Sequence, residues 1–364
     1  MPEITSYIND IKIRNPLMTA AGPNVLNAEL MIDAYKKGAG CIVTKTFSLK
    51  PAEDRRPTIK KTVSKGLLNA ETWSEFTIEK NIEEILKVKR ENIPIIVSIG
   101  YKPEELIKLG RIVEKEIEPL GIEFSTHYIK GGFEELLECA KSLRNSVSLP
   151  IFFKVSPSIT ELEFLGKEVS KYVDGFVAIN SFGPALDFDP ENPENILGSE
   201  NGYGWLSGTP ILPIALRIVD TLTNIQNKPV IGVGGISSGI DVVKFIMVGA
   251  SAVQVCSEAI RKGHSIYGKM IDEIIEFMER KGFESIVELK GYFKKVLKER
   301  KIFSNKARAF VIEERCDGCK ACIYHCFRNA IILNEKAFIL KERCIGCGYC
   351  IDFCRKNAIV LKEE

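Results

Sequence analysis

PVIGVGGISSGIDVVKFIMVGASAVQVCS, residues 229–257, places one helix-period stretch between two short apolar runs. The runs PVIGVGG from Pro229 and SAVQVCS from Ser251 are continuously apolar rather than alternating, as a strand reads when both of its faces are covered. GIDVVKFIMVGA between them has apolar residues at helical spacing and ends at a glycine. Strand, helix and strand in so short a span predict a parallel crossover unit.

Six further runs of the same kind lie upstream: PLMTA from Pro16, GCIVTKT from Gly40, PIIVSIG from Pro94, GIEFSTH from Gly121, PIFFKVS from Pro150 and GFVAINS from Gly175. Helix-period stretches such as AELMIDAYKKG, PEELIKLGRIVEKEIEPLG and FEELLECAKSLRN separate them. Eight strand-and-helix units predict an α/β fold closed into a TIM (β/α)8 barrel over residues 1–300. ITSYINDIKI before the first strand is expected to form a hairpin closing the barrel floor. The long connections from Lys45 to Ser74 and from Phe182 to Ser207 are where function is expected.

Downstream, AFVIEERCDGCKACIYHCFRNAIIL and AFILKERCIGCGYCIDFCRKNAIVL repeat with a period of 28 residues, starting at Ala309 and Ala337. Each copy holds C-x2-C-x2-C-x3-C, in which three thiolates face one 4Fe-4S cube and the fourth cysteine crosses to the other. By that rule Cys316, Cys319, Cys322 and Cys354 hold one cluster, and Cys344, Cys347, Cys350 and Cys326 the second. Paired zinc knuckles are the competing reading, but four cysteines packed within eleven residues suit a cube better. Phe327 and Arg355 stand where such proteins usually have proline. The tail resembles a bacterial-type two-cluster ferredoxin, which implies a small C-terminal α+β domain over residues 301–364.

In 364 residues, 45% apolar content is ample for a buried core, and a net charge of +2 disfavours nucleic acid and acidic membranes as partners. The basic run from Lys294 to Arg308 suits a solvated helix and linker, or a dock for an acidic protein. No leader-like segment opens the chain and no apolar run reaches bilayer length, so a cytoplasmic protein is expected. Cys41, Cys139 and Cys256 then read as reduced, small core residues.

A barrel enzyme works at the carboxyl ends of its strands. The first strand ends in Ala20-Ala21-Gly22, small enough for a flat ring to approach the backbone. The second ends in Thr44-Lys45-Thr46, the fifth carries Lys154 inside FFKVS, and the sixth ends in Asn180-Ser181. A buried lysine needs an anionic or polar partner, and an ammonium beneath a flavin favours the anionic reduced ring. Gly234-Gly235 after the seventh strand and Cys256-Ser257 after the eighth lie where this fold cradles phosphate. GVGG lacks the spaced third glycine of a dinucleotide fingerprint, so a mononucleotide flavin suits the site better than a nicotinamide cofactor.

NPLMTAAG at Asn15, VTKT at Val43, GLLNAE at Gly66, PIFFKVSP at Pro150, AINS at Ala178, LSGTPILPIALR at Leu206 and the long block from Ile231 resemble the dihydroorotate dehydrogenase superfamily. With the tail attached, the arrangement is most similar to the FMN and iron-sulfur portion of dihydropyrimidine dehydrogenases. The resemblance implies FMN, with Ala20, Ala21 and Gly22 beside the ring, Lys45 and Lys154 on its polar edge, and Gly208, Gly234, Gly235 and Ser257 around the phosphate. Thr44, Ser207 and Cys256 complete the expected cofactor contacts. It also implies that Asn69, Asn180 and Ser181 face a planar cyclic amide.

The chain departs from the family after the fourth strand. EFSTHYIKG from Glu123 puts Ser125 and Lys130 where the family has asparagines, and Tyr128 at the position of its serine or cysteine base. Tyr128, His127 and Lys45 become the candidates for proton handling and catalysis. The resulting expectation is an FMN and iron-sulfur oxidoreductase acting on a CH–CH bond of dihydroorotate or dihydrouracil. Its electrons would leave through the two clusters to a ferredoxin or to a flavoprotein handling the nicotinamide nucleotide, from a homodimer or larger complex. The alternatives are an electron relay or electron-splitting subunit without a small substrate, and an oxidoreductase for another unsaturated ring or carbonyl compound.

Overall fold

The computed structural model describes residues 1–62, 65–100, 102–125 and 132–363. The chain divides into two compact units, Met1–Lys295 and Val296–Glu364. Among the described residues no helix is long and apolar enough to cross a membrane.

In the first unit the eight predicted runs form eight parallel strands: Leu17–Thr19, Ile42–Val43, Ile95–Gly100, Gly121–Ser125, Ile151–Val155, Gly175–Ala178, Val230–Val233 and Ala252–Val255. They pair in chain order, and the eighth pairs with the first through Val253 opposite Leu17. The barrel closes between the first and second strands at a parallel bridge of Met18 and Cys41, where the Gly40 N–H donates to the Leu17 carbonyl at 2.6 Å. Helices follow the strands where the apolar period predicted them, among them Ala28–Lys36, Pro103–Glu116, Phe133–Arg144 and Gly239–Met247. Their starts are chemically marked: Asn27 caps the first by accepting from the Leu30 N–H, and Ser238 caps the last by accepting from the Asp241 N–H.

Strand alternation creates two cores. Ile151, Phe153 and Val155 of the fifth strand pack outward against the helices, whereas Phe152 joins Ile96, Val177, Ile231 and Ala252 inside the barrel. Ile8 and Ile13 of the hairpin Ser6–Ile8 and Ile11–Ile13 complete that inner cluster. The Ser6 hydroxyl bonds to the Ser251 carbonyl just before the eighth strand, so the hairpin plugs the amino end of the barrel. At the opposite end period two admits polar groups: Glu123, Ser125, Lys154 and Gln254 occupy inward positions of strands whose outward residues are apolar.

The two long connections are not plain loops. Phe182–Ala185, Gly204–Gly208, Gly66–Asn69 and Ile59–Lys61 form a four-stranded antiparallel sheet, with Trp205 opposite Asn69 and Gly208 opposite Gly66. The two outer pairings are local to each connection, and only the central one, between Gly66–Asn69 and Gly204–Gly208, joins distant parts of the chain.

The second unit pairs Arg308–Val311 with Ile359–Lys362 and Ile331–Asn334 with Lys336–Ile339, both antiparallel. A four-residue helix follows the second cysteine of each repeat, Ala321–Tyr324 and Tyr349–Asp352. The core between these elements is small: Ala309, Val311, Ile331, Ala337, Ile339 and Ile359 pack with Cys322 and Cys350.

Candidate functional site

Two adjoining cavities open at the carboxyl end of the barrel. The larger spans about 760 Å³ of atom-free space, open solvent included. One part of its wall consists of the small residues Ala20 and Ala21. Another combines Ser207, Gly208, Gly234, Gly235, Cys256 and Ser257, and the hydroxyls of Ser207 and Ser257 lie 2.8 Å apart. Gly235 has φ +78°, and a Cβ there would lie 2.6 Å from the Leu212 backbone nitrogen, so only glycine lets the chain turn along this wall.

Gly22 does not line the cavity but supports it: a Cβ there would lie 2.5 Å from the Cys256 sulfur. Thr44 also stays off the wall. Cys41 and Val43 of its strand point into the barrel, so Thr44 points out, and its hydroxyl accepts from the Ser98 N–H at 3.0 Å. Burial pushes the Cys256 thiol above its ordinary value against the opposing pull of Lys154 and Lys45, which keeps it protonated near neutrality. Cys41 and Cys139 are wholly buried with thiols pushed up to about 12, as core residues should be.

The second cavity is polar. Lys45, Asn69, Glu71, Ser125, Asn180 and Trp205 line it, and it shares Ala21, Asn69, Lys154, Asn180 and Ser181 with the first. The Asn180 carboxamide donates to Ser125 Oγ at 3.1 Å and accepts from the Ser181 N–H at 2.9 Å, which fixes its orientation. Asn69 Oδ1 accepts from the Glu71 N–H, turning the chain so that the Glu71 carboxylate meets Lys45 Nζ at 2.7 Å. Tyr128, His127 and Lys130 lie outside the described residues.

The partner that Lys154 requires is Glu123. Its Oε1 accepts from Lys154 Nζ at 3.1 Å, its Oε2 accepts from Gln254 Nε2 at 2.5 Å, and Gln254 Oε1 accepts from Lys154 at 3.4 Å. Glu123 has no exposed surface. Neither Glu123 nor Gln254 stood out in the sequence, although each is polar at an inward position of an apolar strand, and that signal could have found them. Removing one member strands a buried charge, so Glu123→Ala is expected to lower the unfolding free energy by about 3–5 kcal/mol. Denaturant unfolding of the two proteins measures it.

In the second unit Cys316, Cys319, Cys322 and Cys354 surround one cavity, and Cys326, Cys344, Cys347 and Cys350 another. Four backbone amides donate to sulfur in repeat-related pairs: Ala309 to Cys344 and Ala337 to Cys316 at 3.5 Å, Ala330 to Cys326 at 3.3 Å, and Ala358 to Cys354 at 3.1 Å. Among the described residues no three His, Cys, Asp or Glu side chains are arranged to hold a single metal ion. Thiols spread around a void suit a polynuclear cube better than one tetrahedral ion.

The residues present fit both groups. The small-residue wall suits a flat ring, the glycines and hydroxyls suit its phosphate, and Lys154, paired with Glu123, lines both cavities. The family profile described as dihydroorotate dehydrogenase matches residues 3–278, and that described as 4Fe-4S binding domain matches 337–360. The chain is 32% identical over 298 residues to the dihydroorotate dehydrogenase B (NAD(+)) catalytic subunit of Methanothermobacter thermautotrophicus, covering 79% of this chain and 97% of that one. The proteins of the same description from Pyrococcus abyssi and Methanocaldococcus jannaschii are each 33% identical, with coverages of 79% and 97%, and of 76% and 94%. Those relatives are almost entirely used up by about four-fifths of this chain. The chain belongs to the dihydroorotate dehydrogenase family and is an oxidoreductase dependent on FMN and iron-sulfur, its barrel joined to a 4Fe-4S ferredoxin segment.

Proposed function

We propose that the enzyme acts on a CH–CH bond of a dihydropyrimidine-type ring, dihydroorotate or dihydrouracil, and exchanges electrons through two 4Fe-4S clusters with a separate redox protein. A ferredoxin or a flavoprotein handling the nicotinamide nucleotide fits that role, and a homodimer or larger complex belongs to the same reading. The observation that carries it is the wall shared by the two cavities, where Asn69, Asn180, Ser181 and Lys154 border both. Two carboxamides beside a flavin cleft complement the amide edges of a cyclic substrate, and a ring lacking those groups leaves them unpaired. FMN, when bound, exchanges a hydride with the substrate and single electrons with the clusters. The proton at the neighbouring carbon is assigned to Tyr128 or His127, with Lys45 holding the polar edge of the chamber.

The Lys45–Glu71 pair favours an uncharged ring. Its members are only 9% and 12% exposed, so a substrate carboxylate would have to compete with Glu71 for the lysine. Dihydrouracil is therefore expected to react faster than dihydroorotate, and Glu71→Gln to shift the ratio of their kcat/KM values toward dihydroorotate by roughly 10-fold.

The test is anaerobic mixing of the oxidised protein with each compound while flavin absorbance is followed. Bleaching by either supports the proposal; no bleaching by either, with FMN bound, removes it. Tyr128→Phe and His127→Ala then assign the proton, and unchanged rates in both would take these residues out of the mechanism.

A further inference from the structure

The repeat makes His325 equivalent to Phe353, each directly before a crossing cysteine. Their rings stack face to face with centroids 3.3 Å apart and planes 13° from parallel. His325 borders the cavity of Cys326, Cys344, Cys347 and Cys350, and Phe353 borders that of Cys316, Cys319, Cys322 and Cys354. Tyr349 packs edge-on against both rings, at 6.0 and 5.0 Å. Its repeat mate is Ala321, so the third ring is added on one side only.

We infer that the His325–Phe353 stack is the partition between the two clusters and sets how strongly they interact. The inference rests on the two-cluster reading above. Each cube accepts one electron, so the second electron enters against the charge of the first. Rings packed between the cubes exclude water, and a drier gap strengthens that repulsion. The first and second reductions are thereby held apart. His325 and Phe353 act as positioning residues, through the spacing and dielectric of the gap rather than by contact with substrate.

The test is a potentiometric titration of the holoprotein at one fixed pH, followed by electron paramagnetic resonance, after iron has been counted. In the His325→Ala, Phe353→Ala double variant the ratio between the first and second reduction constants is expected to shrink by about 3-fold or more. The spin–spin line shape of the doubly reduced protein should change with it. His325→Phe keeps a ring at the position and should keep both signatures, showing that the ring face is what matters. A double variant with its full iron and an unchanged ratio and line shape overturns the inference. If that variant loses iron, His325→Ala alone decides, and an unchanged ratio overturns the inference equally. A wild-type protein with about four irons per chain instead of about eight removes the two-cluster reading itself, and the partition with it.

Discussion

In an Asn69→Ala, Asn180→Ala double variant, kcat/KM for the ring proposed as substrate is expected to fall by roughly 100- to 10,000-fold, because the two carboxamides proposed to hold it are lost from a partly buried chamber. The two residues border the chamber from unrelated parts of the chain. Asn69 ends a strand of the antiparallel sheet, and Asn180 follows the sixth barrel strand. Each is also held by its neighbours, Asn69 through the Glu71 N–H and Asn180 through Ser125 and the Ser181 N–H. The control is therefore bound flavin: a variant that keeps its FMN spectrum and melting temperature but loses turnover has lost substrate contacts rather than its fold. Rates within a few-fold of wild type would mean that the ring lies elsewhere.

Cys354→Ser is expected to split the reaction in two. Cys354 is the one cysteine of its cavity supplied by the second repeat, so its loss opens the site of Cys316, Cys319 and Cys322 while the other four cysteines stay together. On the proposed two-cluster reading, iron should drop from about eight to about four atoms per chain. Bleaching of the flavin by the ring should persist, and transfer to an external acceptor should be essentially abolished. Iron analysis, stopped-flow absorbance and steady-state turnover measure the three outcomes. Cys41→Ser, in the barrel core, should leave the iron unchanged and so separates ligand loss from a general effect of removing a thiol. Loss of flavin bleaching in Cys354→Ser would show that the two halves do not work independently.

Much of the architecture was legible in the residues. Strands buried on both faces must be continuously apolar and their crossover helices must carry a stripe, so eight such units are recognisable without any partner residue being known. The duplicated cysteine spacing was legible for a similar reason, because a cube constrains its ligands within a few residues of each other. Lys154 was legible as a problem in need of a partner, since a lone ammonium among FFKVS is too unfavourable to leave unpaired.

The partner itself was not. Glu123 and Gln254 come from the fourth and eighth strands and meet Lys154 only because the sheet closes on itself and turns all three inward. Closure likewise decides between neighbours in the chain: Lys45 faces the chamber while Thr44 bonds to the third strand, one residue and one face apart. The sheet built from the two long connections sets Trp205 against Asn69 across more than a hundred residues, and with it brings Glu71 to Lys45. Residue order by itself determined the barrel and the ferredoxin-like tail, because those follow from periodicity and spacing within short windows. Which side chains share a cavity, and which charges neutralise one another there, was decided only by tertiary structure, since such contacts depend on distances that no local pattern encodes.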